Sequence, residues 1–133
     1  MWLQRRSQQT MATILVIDDD PNNRLLLKSI LSYDQHKVLE ATNGAEGLDS
    51  VERHSPDLVI VDLNMPGIDG VTFVKTIRSK AALDHLEIAL YTGTTMTSAI
   101  EDFLELYRVN TVIIKPSEPQ DVLRLVRAAL LRP

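Results

Sequence analysis

The sequence predicts an alternating α/β protein built on a parallel sheet, and three observations carry that expectation. Short β-rich apolar runs alternate with longer stretches of helical period five times from Thr13 onward. Leu58 to Val61 is apolar at every position, as a strand covered by helices on both faces should be. Four of the runs end on a polar group: Ala12 to Ile17 at Asp18 and Asp19, Leu58 to Val61 at Asp62, Ile88 to Tyr91 at Thr92, and Thr111 to Ile114 at Lys115. If these runs are neighbouring parallel strands, the polar groups meet at one edge, because ligand sites of open α/β sheets lie outside the carboxyl ends of the strands.

The elements follow in order. The first strand is Thr13 to Ile17, and Asp20 and Pro21 supply an N-cap and a first helical proline for a helix whose face repeats Leu26, Leu27, Ile30 and Leu31. A weaker strand, Lys37 to Ala41, leads through an Asn43-Gly44 turn to a helix from Ala45 to about His54 with Leu48 and Val51 inward. The central strand is Leu58 to Asp62. The loop from Asn64 to Gly70 contains a proline and two glycines, and the helix Val71 to Lys80 turns Phe73, Val74 and Ile77 to the core. Strand Glu87 to Tyr91 runs into Thr92-Gly93-Thr94-Thr95, followed by a helix near Ser98 to Tyr107 with Ile100, Phe103, Leu104 and Tyr107 at helical spacing. The last strand is Thr111 to Ile114. Glu118 and Pro119 open a final helix carrying Val122, Leu125, Val126, Ala129 and Leu130 as one stripe.

Bulk composition narrows the class. At 133 residues the chain fits one domain, and 44% hydrophobic with 24% charged residues is the balance of an ordinary globular protein. No apolar run approaches the roughly 20 residues of a membrane span, so no membrane partner is expected. The absence of cysteine excludes disulfides and thiolate metal sites and suits the cytoplasm. A net charge of −4 and a pI near 5.3 argue against nucleic acid and for a protein partner. Residues 1–11 carry Arg5, Arg6 and several Gln without an apolar period. They read as a poorly ordered extension outside a domain at 12–133, with Met11 a candidate natural start. His36, His54 and His85 lie in unrelated polar contexts and are read as surface residues.

Asp18, Asp19 and Asp62 need help to stay ionised together: two unit charges about 4 Å apart repel by about 4 kcal/mol at an effective dielectric near 20. A hard divalent cation relieves this. Carboxylate and carbonyl oxygens without His or Cys favour Mg²⁺, with Mn²⁺ acceptable to the same donors. Three acids, one lysine and one dication sum to zero charge. A phosphoryl group added to one acid restores negative charge, which Lys115, Thr92 and the cation are placed to absorb. Taken singly, Asp18 and Asp19 could be a solvated strand end, Asp20 only a cap, Thr92 a turn residue and Lys115 a surface lysine. Their joint occurrence in this chain order favours the chemical reading.

From about Ala12 to Leu131 the chain resembles the receiver domain of two-component response regulators. The resemblance rests on Ile14 to Asp20 with its acidic pair, on Asp62-Leu63-Asn64-Met65-Pro66-Gly67 followed by Asp69-Gly70, on Thr92-Gly93, and on Lys115-Pro116. It implies a doubly wound (βα)5, flavodoxin-like three-layer sandwich with strand order 2-1-3-4-5. It also implies that Asp62 is the phosphoacceptor, served by a sensor histidine kinase, a histidine phosphotransfer protein or a small phosphodonor. Asp18, Asp19, Asp62 and the main-chain carbonyl of Asn64 would hold Mg²⁺, Thr92 and Lys115 would bind the phosphoryl group, and the Lys115-Pro116 bond is a cis candidate. The downstream partner is a protein or an attached output module, and a homodimer through the fourth helix, last strand and last helix is a further expectation.

Three departures fall on or beside that face. Val112 stands where many receivers carry a switching aromatic, Arg108-Val109 replaces a small Gly-Ala pair, and Ser117 replaces a phenylalanine. Phosphorylation chemistry therefore reads as intact and output as atypical. Lys115 to Pro119 also resembles receivers attached to sensory, kinase or signalling-output modules, which leaves open whether the chain is complete or an excised module. Two alternatives compete: a receiver fold whose interactions ignore phosphate, favoured by Val112 and Ser117, and an aspartate-nucleophile phosphatase. The phosphatase reading lacks a second acid two residues beyond the nucleophile, where Asn64 stands, so a turnover enzyme is not expected. Asn64 and Thr94 occupy positions that tune phosphoryl lifetime in the family.

Overall fold

The computed structural model describes residues 11–63, 65, 69–93 and 95–132. Five strands and five helices alternate: β1 (Thr13–Ile17), α1 (Pro21–Ser32), β2 (Lys37–Ala41), α2 (Gly44–His54), β3 (Leu58–Val61), α3 (Gly70–Ser79), β4 (Glu87–Thr92), α4 (Ser98–Leu106), β5 (Thr111–Ile114) and α5 (Pro119–Leu130). All strand pairs are parallel and the order is β2-β1-β3-β4-β5, the flavodoxin-like arrangement expected. Residues 1–10 of the expected extension, Trp2 included, lie outside the described residues.

Strand alternation divides the core into two layers. Ile14, Val16, Ile60, Ala89, Tyr91 and Ile113 meet Leu27, Leu31, Val122 and Val126 of α1 and α5. Leu15, Ile17, Val59, Val61, Ile88 and Leu90 face Val51, Phe73, Val74 and Ile77 of α2 and α3, with Ile100, Phe103 and Leu104 of α4 packed alongside. Four N-caps are side-chain oxygens that accept from the first turn: Asp20 from Asn22, Asn43 from Glu46, Asp69 from Thr72 and Thr97 from Ile100. Each cap follows a strand end or its loop, so the sequence that stops a strand also starts the next helix.

Several expectations shift. Leu26 is 48% exposed, because successive residues turn by about 100° and the buried face of α1 is set by Leu27, Ile30 and Leu31. On α5 the buried set includes Leu123, outside the expected stripe, while Leu125 and Leu130 are only partly buried. Helices α2 and α3 begin one residue earlier than expected, α3 and α4 end one residue earlier, and β4 runs through Thr92. His36 is buried, not on the surface: its Nδ1 accepts the Ala12 N–H at 3.1 Å, and its neighbour Lys37 donates its own N–H to the Ala12 carbonyl.

Arg78 is a structural centre that composition does not reveal. Its guanidinium donates to the carbonyls of Tyr107, Asp84, Leu86 and Arg108, tying the α3–β4 and α4–β5 connections together. Arg108 itself adopts φ 57°, the left-handed region that favours glycine. Here the conformation is held by the Arg78 bond to its carbonyl and by its own guanidinium donating to Asp84 O.

Candidate functional site

The carboxyl ends of β1, β3, β4 and β5 form one edge, and ladder-like bonds continue past the strands to fix the functional residues there. Asp18 N–H donates to Ala41 O, Asp62 N–H to Ile17 O and Lys115 N–H to Thr92 O, at 3.1, 3.1 and 3.0 Å. Each side chain therefore starts from a backbone position held by the sheet. Carboxylate oxygens of Asp18, Asp19 and Asp62 lie within 4.8 Å of one another. Asp18 is 1% and Asp62 9% exposed, while Asp19 is exposed and presents its acid to solvent at the mouth.

Lys115 bridges the two buried acids. Its Nζ is 3.1 Å from Asp62 Oδ2 and 3.3 Å from Asp18 Oδ2. Burial alone would lower the lysine's pKa, but the hydrogen bond and charge of Asp62, followed by those of Asp18, outweigh it and hold the ammonium above its ordinary value. The ammonium also lies 4.9 Å from the ring centroid of Tyr91, whose phenol burial pushes toward the neutral form. The Lys115-Pro116 bond is cis, as expected, and Thr92 is buried at the end of β4.

Asp18 is further fixed by neighbours that sequence reasoning passed over. Its Oδ1 accepts the Asp20 N–H at 3.0 Å, its Oδ2 accepts Asn23 Nδ2 at 3.2 Å, and its carbonyl accepts Arg24 Nη1 at 2.7 Å. Arg24 continues to Glu40 on β2 at 3.1 Å. The polar Asn22-Asn23-Arg24 run, one proline beyond the acidic stretch, was the available signal. Gly70, which the sequence marks only as part of a motif, has a steric role: a Cβ there would stand 2.0 Å from the Asp62 carbonyl oxygen, so α3 can begin against the phosphoacceptor candidate only with glycine.

Not every expected residue is placed. Asn64 and Thr94 lie outside the described residues. Val112 packs, partly buried, against the α2–α3–α4 layer. Ser117 is half-buried, and its hydroxyl donates to Ile114 O at the end of β5. The donor set fits a hard dication: three carboxylates from two strand ends, no imidazole or thiolate, and a lysine that already offsets part of their charge.

Comparison with known proteins agrees with this arrangement. The family model for the response regulator receiver domain matches residues 14–127. The chain is 32% identical to the chemotaxis protein CheY of Bacillus subtilis (strain 168) over 118 residues, covering 88% of this chain and 96% of that one. It is 32% identical to the nitrate/nitrite response regulator protein NarL of Escherichia coli (strain K12) over 127 residues, 92% of this chain but 56% of that protein, so it spans little more than half of NarL's length. The crystal structure of a putative response regulator from Chloroflexus aurantiacus J-10-fl superposes with a TM-score of 0.84 at 32% identity, covering 91% of this chain and 98% of that one. A family match over residues 14–127, with relatives of 32% identity covered nearly end to end, establishes that the chain belongs to the response regulator receiver domain family.

Proposed function

We propose that this receiver takes a phosphoryl group on Asp62 from a phosphohistidine donor, in a reaction that needs Mg²⁺, and that the change alters its affinity for a protein partner or attached output module. The observation that carries this reading is the bridging of Asp62 and Asp18 by Lys115 within 3.3 Å at the mouth of a three-carboxylate cluster. A carboxylate oxygen of Asp62 attacks phosphorus, the P–N bond of phosphohistidine breaks, and the imidazole leaves with that electron pair, giving an acyl phosphate. Asp18, Asp19 and Asp62 would hold the dication, which supplies charge neutralisation for the transferring oxygens.

The chain's own residues do the rest. Lys115, held charged by its two acids, pairs with the phosphoryl oxygens as negative charge returns to the cluster. Asp18 keeps its orientation through the Asp20 N–H and Asn23. Thr92 is the hydroxyl assigned to one phosphoryl oxygen. Exposed Leu106 and Ile114 support assigning the α4–β5–α5 face to a partner or second copy.

Intact mass after exposure to acetyl phosphate or phosphoramidate tests the reading. Wild type should gain one phosphoryl group only with Mg²⁺ (or Mn²⁺), and Asp62→Asn should gain none. Labelling that persists in Asp62→Asn would refute the site assignment. No adduct from either donor or from a histidine kinase would favour a phosphate-independent module.

A further inference from the structure

The Lys115 ammonium contacts the carboxylates of Asp18 and Asp62 and the face of Tyr91. We infer that Tyr91 is a positioning residue for Lys115, its ring holding the ammonium between the two acids and coupling the lysine's position to the helical layer of α1 and α5. The inference rests on Lys115 serving the phosphoryl group, as proposed above.

The geometry separates the ring from the other two contacts. Tyr91 is 4% exposed, paired with Ile113 across β4 and β5, and embedded in the layer that contains Leu27, Val122 and Val126. The ring is therefore fixed by the core, whereas the Lys115 side chain remains about a fifth exposed and has solvent as an alternative. An ammonium 4.9 Å from a ring centroid lies inside the roughly 6 Å range of cation–π attraction. The Asp62 contact changes when an oxygen of that carboxylate becomes bonded to phosphorus. The ring contact does not depend on that oxygen. Tyr91 is thus a neighbour that can steer the ammonium in both states, and its ring belongs to the α1–α5 layer.

Val112 cannot share this role. It lies on the opposite side of the sheet, against the α2–α3–α4 layer, and has no ring. Tyr91 is also directly linked to both binding residues: Thr92 follows it in the chain, and the Thr92 carbonyl accepts the Lys115 N–H. A shift of Lys115 accordingly bears on β4 through its backbone as well as through the ring.

The test compares Tyr91→Phe and Tyr91→Leu by NMR of the Lys115 ε-methylene and by the initial rate of phosphoramidate labelling. In wild type and in Tyr91→Phe the ε-methylene protons should be shifted upfield by the ring. In Tyr91→Leu the upfield shift should vanish and labelling should slow by roughly 2- to 10-fold, the range expected for losing one partly exposed cation–π contact. Rescue of the rate by Tyr91→Phe assigns the effect to the ring. Equal slowing in both variants, or an unchanged Lys115 shift in Tyr91→Leu, would overturn the inference. Should Tyr91→Leu fail to fold, the wild-type nuclear Overhauser effect between the Tyr91 ring and the Lys115 ε-methylene decides: its presence supports the contact and its absence overturns it. If wild type is never labelled, the proposed function fails, while the ring shift still reports on Tyr91.

Discussion

Replacing Gly70 by alanine should damage stability and phosphorylation together, through one contact. A Cβ at this position would lie 2.0 Å from Asp62 O, 2.8 Å from Asp62 C and 2.8 Å from Leu63 Cα. All three are backbone atoms, so no side-chain rotation relieves the clash. The Gly70 N–H also donates to Leu63 O at 3.2 Å, which ties the start of α3 to the segment that must move. Overpacking into a core commonly costs about 1–3 kcal/mol, and a clash with backbone belongs at the top of that range. Alanine recovers about 0.4–1 kcal/mol through the unfolded chain, leaving a net loss of about 2–3 kcal/mol. In a domain of this size that lowers Tm by roughly 10 °C. Because Asp62 itself is displaced, its labelling rate should fall on the order of 100-fold, the penalty of a misplacement of about 1 Å. Two glycines calibrate the argument in urea unfolding. At Gly47 the nearest atom is the tip of Ile17, Cδ1 at 2.4 Å, which can move, so Gly47→Ala should cost less. At Gly93 the nearest atom is Lys115 Cβ at 3.8 Å, an ordinary contact, and Gly93→Ala should change stability by no more than about 0.5 kcal/mol. A Gly70→Ala protein with wild-type stability and labelling would refute the reasoning.

Two further predictions concern the far end of α1. Asp34, buried, accepts two bonds from Arg127 at 2.6 and 2.7 Å, and that guanidinium holds its carboxyl below the ordinary value of 3.8. With Arg127 half exposed, Asp34→Asn should cost about 1–2 kcal/mol at neutral pH, measured by urea unfolding. The wild-type contribution is fully present above pH 3.8 and is lost as pH falls through the lower native value, so the two proteins should converge in strong acid. His36 has its pKa lowered from 6.5, by burial foremost, so the unfolded chain takes up a proton before the native state does. Stability should therefore fall as pH drops from 6.5 toward the native value, by at most about 1.4 kcal/mol per pH unit, and His36→Asn should remove that share of the slope. Identical slopes would contradict the burial of His36.

The parts of the fold that were legible in the sequence are those dictated by local chemistry. Strands showed themselves as β-branched apolar runs, helix starts as Asp20-Pro21 and Glu118-Pro119, and the carboxyl edge as Asp18, Asp19, Asp62, Thr92 and Lys115. Strand order was carried by resemblance, since periodicity does not say which strands are neighbours. What stayed hidden depends on contacts between distant segments. His36 is buried because the chain 24 residues earlier donates to it. Arg78 draws on carbonyls up to 30 residues away. Leu26 belongs to a three-leucine run that cannot all face inward. At the site, Tyr91 reads as an ordinary strand aromatic until the sheet brings Lys115 over its ring, and Gly70 reads as a loop glycine until α3 meets the Asp62 carbonyl.

The most direct measurement of the central claim is to label the protein with phosphoramidate and Mg²⁺, reduce it with borohydride, and map the peptides by mass. An acyl phosphate on Asp62 predicts conversion of that residue alone to homoserine, and no conversion when Mg²⁺ is removed by chelation. Homoserine at Asp18 or Asp19, or a borohydride-stable phosphate on a serine, threonine or histidine, would contradict the account.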